Sequence, residues 1–153
     1  MKKLALLAIL LITSAVKLSA QDKVERNSTD INDIEVWVKQ VSLSPKGDTA
    51  TVQLYLQSYL KNPREFRLNT FATGLIAGDD RPMWYDSMSI GKVIINLQDR
   101  QNYLNYLMTR DHEVVLTIKT PNWKKQWGKP KQVKLTFEDH AEEGKFLEYY
   151  IDL

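Results

Sequence analysis

The chain has 153 residues, with 21 lysines and arginines, 19 aspartates and glutamates, and no cysteine. The lack of cysteine excludes disulfides, thiol nucleophiles and thiolate metal sites. Without the three lysines before residue 20, the chain keeps 18 basic residues against 19 acidic ones. This near-neutral balance argues against a nucleic-acid-binding surface.

The N-terminus has the pattern of an export signal. Lys2 and Lys3 precede nine apolar residues, 4–12, and the segment closes on Ser19 and Ala20. Nine apolar residues are too few to cross a bilayer, which takes about 20 residues, so we expect a cleavable signal peptide over residues 1–20. No cysteine is available near the cut for a lipid. The expected product is periplasmic or secreted, is not a lipoprotein, and has no membrane span after cleavage.

The first elements of the folded part read as a hairpin. Residues 21–30 are polar and lack periodicity, which is typical of a flexible leader. Residues 49–61 alternate apolar and polar side chains, as in a strand with one buried face. In residues 34–43 the apolar positions change parity partway, which predicts a β-bulge. The turn residues of segment 44–48 predict a hairpin between the two strands.

Strand patterns continue to the end of the chain, with one exception. Residues 64–77 form an interrupted extended stretch, and a short edge strand follows the turn at 78–82. Alternating patterns then recur in residues 92–97, 113–119, 132–138 and 145–153. Between them, Leu104, Leu107 and Met108 have helical spacing after Asp99 as a possible N-cap. This spacing predicts one short helix near residues 99–108.

Seven to nine short strands separated by turns predict a two-sheet sandwich over residues 31–153. Segments 34–57 (IEVWVKQVSLSPKGDTATVQLYLQ) and 66–85 (FRLNTFATGLIAGDDRPMWY) resemble small exported bacterial immunoglobulin-like sandwiches of unknown function, of the telokin-like kind. The resemblance implies an all-β, immunoglobulin-like antiparallel β-sandwich. A small antiparallel barrel is the alternative fold.

Few residues point to catalysis or metal binding. His112 and His140 each lie beside carboxylates, but neighbouring residues of a strand point to opposite faces and do not converge as metal ligands do. Asp79, Asp80 and Asp86 lack the spacing of a calcium loop. No hydrolase motif is present. We therefore predict no catalytic residues, no metal site and no cofactor. A hydrolase without a recognisable motif is an alternative.

The most unusual local feature is the segment TPNWKKQWGKPK, residues 120–131, which we call the Trp/Lys loop. It carries two tryptophans and several lysines, with no acidic residue. Indole faces can stack on sugar rings, and lysines can meet carboxylate or sulfate groups. The predicted ligand-binding residues are Trp123, Trp127, Lys124, Lys125 and Lys129. In the alternative interpretation, both indoles fold back and anchor the loop on the end of a sheet.

These patterns favour a non-catalytic extracytoplasmic binding module whose partner is another envelope or extracellular protein. A carbohydrate-binding module that uses the Trp/Lys loop, with an acidic glycan as ligand, is the first alternative. Coplanar exposed indoles would favour a sugar, and a deep pocket with converging polar groups would favour an enzyme. An exposed apolar strip along one sheet edge would favour a protein partner.

Overall fold

The computed structural model describes residues 27–153, which form two antiparallel β-sheets with a shared core. The twelve strands of this part are β1 Ser28–Ile31, β2 Ile34–Leu43, β3 Thr49–Ser58, β4 Arg64–Asn69, β5 Gly74–Ile76, β6 Pro82–Met83, β7 Ser87–Ile90, β8 Val93–Asn96, β9 Tyr103–Met108, β10 Glu113–Pro121, β11 Gln132–Glu138 and β12 Phe146–Asp152. The predicted signal peptide, residues 1–20, lies outside the described residues. Within residues 27–153, no helix combines the length and the apolar content that a membrane crossing requires.

The first sheet has the order β1-β2-β3-β10-β7-β8. The predicted hairpin of β2 and β3 is confirmed, and its register shifts by one residue between Val38 and Gln40. Lys39 is the extra residue of the predicted bulge, and it explains why the apolar parity of β2 changes. Strand β1 pairs with β2 from Ser28 onward. The sheet therefore begins within the segment predicted as a flexible leader.

The second sheet is centred on β11. Along one edge, β12 pairs with all seven residues of β11. Along the other edge, β5 pairs with the start of β11 and β4 pairs with Phe137 near its end. Strands β6 and β9 then pair with β5 and β4, respectively. The predicted final strand is confirmed, and the two separate sheets make the fold a sandwich rather than a barrel.

The predicted helix near residues 99–108 is wrong. Strand β9 pairs along its whole length with β4, and Leu104 lies opposite Leu68. Leu104 and Met108 are buried, whereas Leu107 is exposed, as expected for a strand rather than a helix. Asp99 instead ends a short 3₁₀ turn at Leu97–Asp99. Pairing with the edge of β4 outweighs the local helical spacing, because strand formation depends on neighbouring strands.

The core lies between the sheets and takes fully buried side chains from both. The first sheet contributes Leu54 and Leu116, and the second contributes Phe66 and Phe137, whose ring centroids are 5.1 Å apart. Two buried hydroxyls, those of Tyr85 and Thr120, have no hydrogen-bond partner among the described residues. A buried hydroxyl that forms no hydrogen bond loses its hydration without compensation, which destabilises the folded state.

We expect Tyr85→Phe to raise the free energy of unfolding by about 1 kcal/mol, because the substitution removes an unsatisfied hydroxyl and preserves the ring. Urea denaturation followed by tryptophan fluorescence measures the change. Thr136→Val is the matched control, since the Thr136 hydroxyl donates to the carbonyl of Ala72 at 3.1 Å and its removal should lower stability. A stability loss in Tyr85→Phe would mean that this hydroxyl has a partner, such as a buried water.

Candidate functional site

The Trp/Lys loop is anchored by its two indoles. The exposed fractions of Trp123 and Trp127 are 3% and 8%, and their rings meet edge to face at 5.7 Å with an interplanar angle of 86°. The Trp123 indole nitrogen donates to the carbonyl of Gly128 at 2.7 Å. The main-chain N–H of Trp123 donates to the carbonyl of Asp48 at 2.9 Å, which ties the loop to the β2–β3 turn. The structure thus shows the arrangement expected of loop anchors.

Cations cover part of the Trp127 ring. The Lys124 amine lies 5.4 Å from the ring centroid, and the Arg81 guanidinium lies 5.0 Å from it. Both distances are within the range of cation–π attraction. The two indoles therefore do not form the coplanar exposed platform that would favour sugar binding. The predicted binding residues that remain accessible are the exposed lysines Lys124, Lys125 and Lys129. Ligand binding by this loop stays a prediction.

The other two tryptophans differ from each other in exposure. Trp37 is buried in β2, where its ring contacts that of Tyr55 at 5.3 Å. Trp84 directly follows the edge strand β6 and is 60% exposed. Trp84 is therefore the tryptophan whose ring is most accessible to solvent. The sequence pattern predicted that both residues lie in a core or at an edge, but it did not indicate which of the two is exposed.

A cleft of about 700 Å³ lies between the β3–β4 connection and the β11–β12 loop. Its ionisable lining residues are Lys61, Arg64, Glu65, Arg67, Glu138, Asp139, His140 and Glu143. Charges of both signs are thus interspersed, so the cleft does not select a single sign of ligand charge. Its polar groups converge, which is the arrangement that would favour an enzyme if those groups were free to react.

Three polar residues that line this cleft, Arg64, Asp139 and His140, contact the side chain of Asn32. Asn32 and Asp33 both have positive φ, 48° and 62°, and form the two-residue turn between β1 and β2. The Asn32 side-chain oxygen lies 3.1 Å from both an Arg64 guanidinium nitrogen and His140 Nδ1, and the Asn32 amide donates to Asp139 at 3.0 Å. Burial lowers the pKa of the Arg64 guanidinium, and the nearby Asp33 and Asp139 oppose that effect. These groups bind one another and join two loops.

The second arginine of the cleft is paired in the same manner. Arg67 forms a salt bridge with Glu138 at 2.9 Å, and its guanidinium lies 5.1 Å from the centroid of the Tyr103 ring. The hydrogen bond from the Gly144 N–H, together with Arg67, lowers the pKa of the Glu138 carboxyl. The hydrogen bond to Glu138 raises the pKa of Arg67 in turn. Both partners are therefore charged near neutral pH.

The two histidines considered in the sequence analysis, His112 and His140, lie in different loops. His140 is in the cleft, and His112 is exposed in the β9–β10 turn, where its main-chain N–H donates to the Thr109 carbonyl at 3.3 Å. Across residues 27–153, no set of three histidines or carboxylates is arranged to hold a metal ion. Asp80 pairs with Lys131, and Asp79 pairs with Arg81. These two aspartates are thus engaged in ion pairs at the turn before β6.

Apolar side chains are exposed at the β8 edge of the first sheet, on both of its faces. Val93, Ile94 and Leu97 have exposed side chains, and we call these three residues the apolar strip. Ile94 is 65% exposed and lies opposite Ser89 of β7, while the next residue, Ile95, is buried. Strand β8 pairs with β7 on one side and ends the sheet. The sequence contained one sign of this exposure. Ile94 is apolar at a position between Val93 and Ile95 where the alternation calls for a polar residue.

No protein-family model, curated protein or solved structure matches this chain. The resemblance to immunoglobulin-like sandwiches therefore stays a prediction. The three surfaces described above, which are the Trp/Lys loop, the cleft and the apolar strip, are the basis for any functional proposal. Of these three, the apolar strip is the surface whose apolar side chains are exposed.

Proposed function

We propose that the protein is a non-catalytic, extracytoplasmic binding module that binds another protein through the apolar strip. The observation that carries the proposal is the 65% exposure of Ile94 in a strand that ends its sheet. Apolar residues exposed together at a sheet edge are a feature of protein-interaction sites. Large buried side chains at interfaces supply most of the binding energy, so Ile94 is the expected anchor.

The geometry of β8 favours an extended segment as the partner. An edge strand offers unpaired main-chain N–H and C=O groups to an added strand. Val93 and Ile94 are adjacent in β8, so their side chains point to opposite faces of the sheet. An added strand also alternates its side chains between the two faces, so some of them would contact Val93 and others would contact Ile94. The partner expected from this chemistry is a protein that contributes an extended segment with apolar side chains.

Two findings weigh against the alternatives. A sugar-binding module that uses the Trp/Lys loop needs accessible aromatic faces in that loop, whereas Trp123 and Trp127 are buried and perpendicular. A hydrolase of the serine, threonine or cysteine type needs a nucleophilic side chain, whereas the described residues that line the cleft include no serine, threonine or cysteine. The protein-binding proposal requires neither group.

We expect Ile94→Lys to reduce capture of the partner from the native envelope fraction by about tenfold or more, because a charge replaces an apolar anchor. Its melting temperature should barely move, since exposed substitutions change stability by about 0.5 kcal/mol or less. Tyr59→Lys, an equally charged change at an exposed site at the end of β3, is the control and should retain capture. If Ile94→Lys captures the same partner as the unmodified protein, or if the captured species is a glycan, the proposal is wrong.

A further inference from the structure

Strand β12 is the longest strand that ends a sheet in the described part of the chain. It has seven residues, compared with four in β1 and β8, two in β6 and six in β9. It pairs with β11 along one side, and no described strand pairs with its other side. Its sequence, FLEYYID, contains no proline, glycine or lysine, which are residues that commonly block pairing at an edge. The open side of β12 can therefore accept another strand.

The hydrogen bonds of β12 show which main-chain groups are available. The Leu153 N–H donates to the Lys131 carbonyl, and the Lys145 carbonyl accepts from the Asp139 N–H, so odd-numbered residues face β11. Main-chain groups alternate in direction along an antiparallel strand. The even-numbered residues Phe146, Glu148, Tyr150 and Asp152 therefore direct their N–H and C=O groups toward the open side.

We propose that β12 pairs antiparallel with β12 of a second copy of this chain, in a register centred on Tyr149. Leu147 then lies opposite Ile151, and Glu148 lies opposite Tyr150. The even-numbered residues face one another, so their main-chain groups are placed to hydrogen bond. The second sheet of one copy and the second sheet of the other then form one continuous sheet, with a two-fold axis at Tyr149.

The side chains of β12 are complementary in this register. On the inner face, Leu147, Tyr149 and Ile151 are half-buried or buried, and pairing extends their apolar layer across the axis. On the outer face, the Tyr150 hydroxyl already donates to Glu148 of its own chain at 2.7 Å, and the same two residue types meet between copies. Each Glu148 also pairs with Lys134 at 2.7 Å, which offsets the repulsion between the two carboxylates.

The proposed register suits a second copy of this chain. The register is closed under two-fold rotation, so each contact occurs twice and no polar residue is placed opposite an inner-face apolar one. Each copy contributes four residues, and each residue contributes one N–H and one C=O group. The two copies can therefore form up to eight hydrogen bonds, within the range of about 10 ± 5 found in protein interfaces. Strand β8 belongs to the other sheet, so this pairing is separate from the proposed binding of a partner protein.

Light scattering across a concentration series tests the pairing, and we expect twice the monomer mass at high concentration. Tyr150→Pro should raise the dissociation constant of the dimer by about tenfold or more, because proline removes an N–H that faces the open side in each copy. Tyr150→Ala is the matched control, since it removes the same side chain and keeps the N–H. It should weaken the dimer less than the proline variant does.

Hydrogen exchange of the unmodified protein tests the same register without a substitution. The amides of Glu148 and Tyr150 should be protected at high concentration and exchange rapidly on dilution, whereas the amides of Leu147 and Ile151 stay protected at both. In addition, Tyr149→Cys should form a disulfide between copies, whereas Asp152→Cys should not. A monomer at every concentration would overturn the proposal, as would slow exchange of the Glu148 amide in a monomer.

Discussion

Replacing Trp123 with alanine is expected to lower the free energy of unfolding by about 3–5 kcal/mol, the usual cost of truncating a large buried aromatic residue. Trp123 is 3% exposed and packs edge to face on Trp127. The substitution also leaves the Gly128 carbonyl without the indole N–H that it accepts at 2.7 Å. A loss of this size is a large part of the 5–15 kcal/mol by which a typical domain is stable.

Chemical denaturation of the Trp123→Ala variant measures this loss, and Trp84→Ala is the matched control. Because Trp84 is 60% exposed, its truncation should change the free energy of unfolding by about 0.5 kcal/mol or less. The double variant Trp123→Ala with Trp127→Ala distinguishes anchoring from binding. Abolished ligand capture with an unchanged melting temperature would show that the Trp/Lys loop is a binding site rather than an anchored connection.

Ending the chain after Gly144 is expected to abolish cooperative unfolding, because the second sheet loses β12. Ile151 is buried, and the Tyr149 ring stacks on Phe137 with centroids 5.7 Å apart. Each fully buried apolar side chain contributes about 1.5–3 kcal/mol. The truncation also leaves one whole edge of β11, the central strand of the sheet, without its hydrogen-bonded neighbour.

Circular dichroism during heating measures the effect of this truncation. Tyr150→Pro is a useful comparison, since it retains the β11 hydrogen bonds of β12 and should keep a cooperative transition. Truncation would thus remove both the fold and the dimer, whereas the proline variant would weaken the dimer alone. A truncated chain with the melting temperature of the full chain would show that residues 145–153 contribute little to the domain.

The cleft around Asn32 illustrates how a converging set of polar groups can serve the fold. Asn32 lies in the β1–β2 turn, while Asp139 and His140 lie in the β11–β12 loop. The contacts between them join the first sheet to the second at one end of the sandwich. Asn32 thus holds Arg64, Asp139 and His140 together through its side chain.

Several features of this protein were determined by the sequence itself. The alternation in residues 49–61 and 145–153 predicted β3 and β12, and the parity change in residues 34–43 predicted a bulge, which the structure places at Lys39. These predictions succeed because side-chain direction in a strand follows from the local backbone geometry. The turn residues between β2 and β3 are local in the same sense, so the hairpin followed from them.

Other features were decided by the tertiary structure. Residues 103–108 have helical spacing but form β9, because the edge of β4 supplies their hydrogen bonds. The sequence placed two tryptophans in a loop, but their burial depends on the approach of that loop to Asp48. Likewise, Ile94 is exposed and one side of β12 is unpaired because β8 and β12 end their sheets. Strand order is set by contacts between distant parts of the chain, and a local pattern does not contain that information.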